Sequence, residues 1–260
     1  MVIKVCGMRD ARNIREVSQL GVDMIGMIFY PKSPRYVEMQ SSHAGIIPDY
    51  AKEDIGASDT SGNSSKDTSG NSSEDTSENS SEDSSGNSSK SVSVSSKTPA
   101  RVGVFVDDMV QNIVTRVVNY HLDYVQLHGN EPRTMCENLR STLDPDIRPG
   151  IKIIKAISVS DASDIQKYKE YVGAVDLFLF DTKCKTVGGS GQQFDWQVLE
   201  QYDGEVPFLL SGGIGPDDAS RLHAFHHPKC IGIDLNSRFE VEPGVKDVEK
   251  LKEFLLKVKR

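Results

Sequence analysis

The chain has 260 residues, four cysteines and a formal net charge of −8 at neutral pH. No apolar run is long enough to span a bilayer, and the acidity argues against non-specific binding to nucleic acid. The length suits one large α/β domain or two small ones.

Lys4, Arg9, Asp10 and Arg12 interrupt any hydrophobic segment of the kind a secretory signal needs, so a cytoplasmic protein is expected. Cys6, Cys136, Cys184 and Cys230 form no CxxC pair and show no metal-site spacing. Four free thiols are therefore expected in a reducing compartment, with no metal and no membrane contact.

The first predicted element is a strand over 3–6. Side chains alternate along a strand, so Lys4 and Cys6 share one face and Ile3 and Val5 the other. In a parallel barrel Cys6 then sits at the carboxyl end, where such barrels carry their chemistry. Residue type alone leaves two readings, a small buried hydrophobe or a thiol acting as base. A helix begins near Ala11 and a second strand covers 24–29. Arg35 follows Pro31 and Pro34 in the next loop, as an exposed arginine or as a fork for a carboxylate.

A second helix is expected near Ser41, and then the composition changes. Residues 59–90 are four tandem octapeptides, DTSGNSSK, DTSGNSSE, DTSENSSE and DSSGNSSK, without one apolar residue. Segment 53–98 holds nine acids and three lysines, a net of −6 out of the chain's −8. It has nothing to bury and is expected to be a disordered insertion. Further strands are predicted over 102–106, 124–127, 151–156, 177–180, 208–210 and 231–235. Helices are predicted to begin near Val110, Glu131, Asp161, Asp195, Pro216 and Val245.

Eight strands, each followed by a helix, make an α/β fold: a single (β/α)8 TIM barrel formed by 1–52 and 99–260. The insertion falls between helix 2 and strand 3, on the face opposite the expected active site. Loop-closure cost grows only logarithmically with length. Deleting 53–98 is therefore expected to leave turnover within a small factor of the full chain; a large loss in a deletion variant would overturn that placement.

Several side chains gather at the carboxyl ends of these strands. Gln126 and His128 alternate on strand 4, with His128 at its end either bordering a substrate or capping the next helix. Asp181 shares a face with Leu177 and Leu179 and ends strand 6. Gly189 and Gly191 lie in a glycine loop just after it. Ser211, Gly212 and Gly213 follow strand 7, and Asn236, Ser237 and Arg238 follow strand 8. Loops after strands 7 and 8 are where barrels of this kind bind phosphate. Alternation also turns Lys4, Lys155 and Asp234 inward. Strands 8 and 1 are neighbours in a closed barrel, so a Lys4–Asp234 pair is expected beneath Cys6, biasing it toward thiolate.

The motifs KVCGM at 4–8, FYPKSPRYV at 29–37, RVGVFV at 101–106 and VQLHGNE at 125–131 resemble the phosphoribosylanthranilate isomerase family. So do FDTK at 180–183, GGSGQQFDW at 188–196 and LSGGI at 210–214, all in the family's order. The resemblance implies a cofactor-free Amadori rearrangement in tryptophan biosynthesis. It implies Cys6 as general base, Asp181 as general acid and Arg35 as clamp for an anthranilate carboxylate. A small phosphorylated substrate is implied, with the chain as monomer or homodimer. The 236–238 stretch departs from the family pattern of small residues, so Arg238 either adds a charge to the phosphate or points to solvent. Two other readings stand beside this one: a different phosphate-binding barrel, such as a sugar-phosphate epimerase or indole-glycerol-phosphate synthase, and a non-catalytic scaffold acting through the acidic repeat.

Overall fold

The computed structural model describes residues 1–38, 98–182 and 195–259. The inserted repeat, the helix expected near Ser41, Cys184 and the loop bearing Gly189 and Gly191 lie outside them.

Eight parallel strands close into a barrel in sequence order: β1 Val2–Cys6, β2 Met24–Ile28, β3 Ala100–Phe105, β4 Tyr124–Leu127, β5 Lys152–Val159, β6 Leu177–Thr182, β7 Phe208–Ser211 and β8 Cys230–Leu235. The expected (β/α)8 barrel is what forms. These strands are buried on both faces, so each reads as a nearly continuous apolar run. One face fills the barrel interior with residues such as Met24, Val104, Ile154 and Leu179, with Cys6 among them. The other face packs against the helices through Ile3, Val5, Phe178 and Phe180.

Among the described residues six α-helices cover the outside: α1 Ala11–Ser18, α2 Val110–Asn119, α3 Arg133–Leu143, α4 Ala162–Ile165, α5 Ala219–Ala224 and α6 Val248–Val258. Local chemistry sets where they start. The Asp10 carboxylate accepts the Asn13 N–H at 2.7 Å and opens α1. Asp247 does the same for α6 through Lys250 N–H at 3.0 Å. Two expected helices are shorter than a full α-helix. The segment after Asp161 becomes α4 and a 3₁₀ stretch over Gln166–Tyr171, and that after Asp195 is a single 3₁₀ stretch over Trp196–Gln201.

The helix expected at Val245 begins three residues later, because a hairpin intervenes. Its strands β9 Glu240–Glu242 and β10 Val245–Lys246 pair antiparallel. Pro243 and Gly244 fill the turn, with Gly244 at a φ of +93° that suits glycine. This hairpin brings two charged side chains to the rim beside β1.

Lys155 does not point inward. Its neighbours Ile154 and Ala156 line the interior, so Lys155 faces the helix layer. There it donates to Glu131 Oε2 at 2.8 Å and to the Gly129 carbonyl at 2.7 Å, above the Tyr171 ring. Glu131 in turn accepts the backbone N–H groups of Asp107 and Gly129. The buried charge is thus paired and hydrogen-bonded, which burial requires, and it braces the loops after β3 and β4.

Cys6, Cys136 and Cys230 are free thiols. No helix among the described residues is long and apolar enough to cross a membrane.

Candidate active site

Cys6 ends β1 with 4% of its surface exposed. It pairs with Gly26 on β2, and a Cβ at Gly26 would come within 2.8 Å of the Cys6 sulfur. The missing side chain on β2 is the space the thiol occupies. One layer down, Lys4 Nζ meets Asp234 Oδ1 at 2.8 Å, both side chains being buried. The β1–β8 register places the two residues side by side, as alternation anticipates. Ser211 Oγ, 3.3 Å from Asp234 Oδ2, supplies the carboxylate with a second partner.

The pair does not by itself turn Cys6 into a thiolate. Burial raises the thiol's pKa above the ordinary 9.0 and prevails over the pull of Lys4 and Lys246 toward ionisation. Without an added positive charge the thiol stays protonated.

Arg35 lies across Gly7, the residue after Cys6. Gly7 has φ +77°, and a Cβ there would come 2.6 Å from both Arg35 Cδ and Asn236 Oδ1. Arg35 Nε donates to Glu240 Oε1 at 2.8 Å and Nη2 to Glu240 Oε2 at 2.6 Å, so one edge of the fork is already engaged. Glu240 also accepts from Lys246 Nζ at 2.6 Å and from the Gly244 N–H at 3.2 Å. Lys246 Nζ donates further to Asn236 Oδ1 at 2.8 Å. Burial works against ionising Glu240, but the hydrogen bonds from Arg35 and Lys246 outweigh it and hold the carboxyl at about 2. Lys246 is held below its ordinary value by burial, which Glu240 only partly offsets.

Across the mouth, His128 Nε2 stands 3.5 Å from Asp181 Oδ2. Buried Gln126 lies below, its Nε2 2.8 Å from His128 Nδ1. With that amide assigned as the donor, the imidazole proton sits on Nε2 and faces Asp181. Asp181 shares its strand face with the interior residues Leu177 and Leu179, which aims its carboxyl into the mouth.

The β7 and β8 loops meet at one side of the rim. Gly212 and Gly213 have φ values of +103° and +66°, and a Cβ at Gly212 would overlap the Thr182 backbone. Gly212 therefore has no room for a side chain, and the left-handed backbone at Gly213 favours glycine. Ser211 is buried, with its hydroxyl on Asp234 and its carbonyl accepting from Thr182 Oγ1 at 2.8 Å. Ser237 and Arg238 are exposed. The stem of Arg238 lies 3.7 Å from where a Cβ on Gly215 would stand, so it drapes over the β7 loop. Asn236 has its carboxamide oxygen turned to Lys246, on the Arg35 side of the mouth.

The structure thus gathers Cys6, Arg35 and Asn236 on one side, His128 and Asp181 on another, and Ser211, Gly212, Gly213, Ser237 and Arg238 between the last two loops. Glu240 and Lys246 are the site neighbours that sequence reasoning missed. The Pro243–Gly244 turn was the available signal, since it breaks a helix and predicts a hairpin.

Comparison with known proteins gives a consistent result. A family model for N-(5'-phosphoribosyl)anthranilate (PRA) isomerase matches residues 52–257. The chain is 40% identical to the N-(5'-phosphoribosyl)anthranilate isomerase of Parabacteroides distasonis, over 99% of this chain and 93% of that protein. It is similar to the crystal structure of phosphoribosyl anthranilate isomerase from Thermotoga maritima, with a TM-score of 0.66 and 26% identity, covering 100% of this chain and 99% of that one. A further structure of such an isomerase, solved in complex with reduced 1-(o-carboxyphenylamino)-1-deoxyribulose 5-phosphate, shares the fold at a TM-score of 0.64 and 24% identity, over 100% of this chain and 99% of that one.

Proposed function

The chain belongs to the N-(5'-phosphoribosyl)anthranilate isomerase family, and on that premise we propose that Cys6 is the general base and Asp181 the general acid of its reaction. The reaction is the rearrangement of N-(5-phosphoribosyl)anthranilate to 1-(2-carboxyphenylamino)-1-deoxyribulose 5-phosphate in tryptophan biosynthesis.

Each step has a group suited to it. The carboxyl of Asp181 gives its proton to the furanose ring oxygen. The C1–O bond breaks as the nitrogen lone pair forms a C1=N iminium, and the C4 hydroxyl is released. Cys6 takes the C2 proton; the C–H electrons become a C1=C2 double bond and the iminium electrons return to nitrogen. The resulting enolamine loses its C2 hydroxyl proton and gains one at C1, which leaves the ketone. The iminium is itself the positive charge the buried thiol lacks. A cation within a few ångströms favours the thiolate, so the base is activated when its substrate is ready.

Arg35 holds the anthranilate carboxylate, and His128 contacts the opened sugar. The phosphate takes the Gly212 and Gly213 backbone together with Ser211, Ser237, Asn236 and Arg238, and Gly189 and Gly191 are assigned to the same substrate. The enzyme works in the cytoplasm as a monomer or homodimer, with 53–98 as an insertion outside the barrel domain.

The observation that carries this reading is the arrangement of Cys6, Asp181 and Arg35 at the carboxyl ends of β1, β6 and β2 around one mouth. Proton-transfer groups are typically worth about 10² to 10⁴ in rate. Asp181→Asn is therefore expected to lower turnover by about that factor, followed as loss of anthranilate-type fluorescence. Turnover within a few-fold of wild type in a folded Asp181→Asn protein would remove Asp181 from the acid role.

A further inference from the structure

We propose that Glu240 is the positioning residue that makes Arg35 selective for a carboxylate-bearing aglycone; this rests on the assignment of Arg35 to that carboxylate. Glu240 takes the Nε and Nη2 edge of the guanidinium through two hydrogen bonds. A guanidinium has five N–H donors in a planar fork, so a second two-pronged edge, Nη1 with the other Nη2 hydrogen, stays complete. Holding one edge fixes the plane and direction of the other.

The carboxylate doing this is itself immobilised. Its Oε1 also accepts from Lys246 Nζ and the Gly244 N–H, and Lys246 is anchored by Asn236. Glu240 and Lys246 side chains are 6% and 0% exposed, whereas Arg35 keeps 19% of its surface open at the mouth. The Arg35 stem is confined on its other side by Gly7, where any Cβ would collide with it. The hairpin β9–β10 therefore acts as a fixed bracket, and the arginine arrives at the mouth already oriented.

Glu240 also balances charge. Lys246, Arg35 and Lys4 all act electrostatically on Cys6 to favour its thiolate. The Glu240 carboxylate offsets one of the two positive charges of Lys246 and Arg35 in the free protein. A substrate carboxylate on the free edge of Arg35 then meets the one positive charge left over.

The test uses two non-reacting ligands, the reduced form of the ketose product and its counterpart without the ring carboxylate. Binding is measured by calorimetry to wild type, Glu240→Gln, Glu240→Asp and Arg35→Ala. Glu240→Gln is expected to weaken binding of the carboxylate ligand by about tenfold or more, as loss of a charge-assisted contact does. The ligand without the carboxylate should bind both proteins equally, and Glu240→Asp should fall between. In the background of Arg35→Ala, Glu240→Gln should cost nothing further.

The two-ligand ratio is insensitive to a partly unfolded sample, since both ligands see the same folded fraction. Equal weakening of both ligands would overturn the proposal and leave Glu240 a structural residue. If Arg35→Ala itself failed to distinguish the two ligands, the assignment of Arg35 to the carboxylate would fall, and this inference with it.

Discussion

Cys6→Ala is expected to abolish turnover, by at least about 10² to 10⁴, while leaving the fold intact. The thiol is buried, but it abuts a glycine and fills little volume. Its removal opens only a sulfur-sized void in a wall of packed strands. Thermal unfolding close to wild type, combined with the loss of anthranilate fluorescence decay, is the expected pair of results. Residual turnover above about a tenth of wild type would exclude the thiol as base.

The same residue predicts a pH profile. The base must be deprotonated, and burial raises its pKa above 9.0 in the free protein. Since kcat/KM reports the free enzyme's groups and Asp181 must keep its proton, the Cys6 limb is read in Asp181→Asn, whose residual kcat/KM should climb with pH through neutrality and not level off before the alkaline range. Stability runs the other way. A thiol raised in the folded state contributes stability that is whole below its unfolded value of about 8.5 and is lost as pH rises above it. The alkaline conditions that ionise Cys6 therefore weaken the barrel. A plateau in kcat/KM of Asp181→Asn, already reached at pH 6, would contradict the buried, protonated thiol.

Lys4→Met is the substitution expected to cost most stability. It leaves Asp234 charged or forced to take up a proton, with the Ser211 hydroxyl still beside it. Breaking a buried pair from one side costs about 3 to 5 kcal/mol. For a barrel of this size that is a fall in Tm of roughly 6 to 20 °C, at about 2 to 4 °C per kcal/mol. Replacing both residues with apolar ones of similar volume should recover most of the loss, because a matched apolar pair has no desolvation debt. The single variant should also move the Cys6 thiol further up, since Lys4 is the strongest of the cations drawing it down. Alkylation of Cys6 measured against pH reports that shift. A Tm within 2 °C of wild type (about 1 kcal/mol or less) would show that the pair does not hold the barrel.

Much of this architecture was legible from the chain. Eight apolar runs and the spacing between them gave the barrel, and period-two alternation on β1 and β8 gave the Lys4–Asp234 pair. The same rule failed on β5. There 153–157 reads Ile-Ile-Lys-Ala-Ile, apolar on both faces because a barrel strand is covered inside and out. With no polar face, the pattern carries a period but no phase, and alternation puts Lys155 on the wrong side. Its partner Glu131 sits in a loop after another strand, and no local pattern links residues 24 apart. The Glu240–Lys246 bracket was hidden for a different reason. A two-residue strand is too short to show periodicity, and apolar positions beyond it run straight into α6.

The contact between Lys4 and Asp234 joins residues 230 apart in sequence. During synthesis the ammonium is made with the first strand and its counter-charge with the last. A nascent chain that stops short of β8 has an open seam beside β1, and Lys4 has nothing to set against its charge there. The incomplete barrel thus has reason to keep that edge wet. Closure, burial of Cys6 and assembly of the β9–β10 bracket all wait for the same final segment, so the Cys6 thiol is enclosed only when the ring of strands is complete.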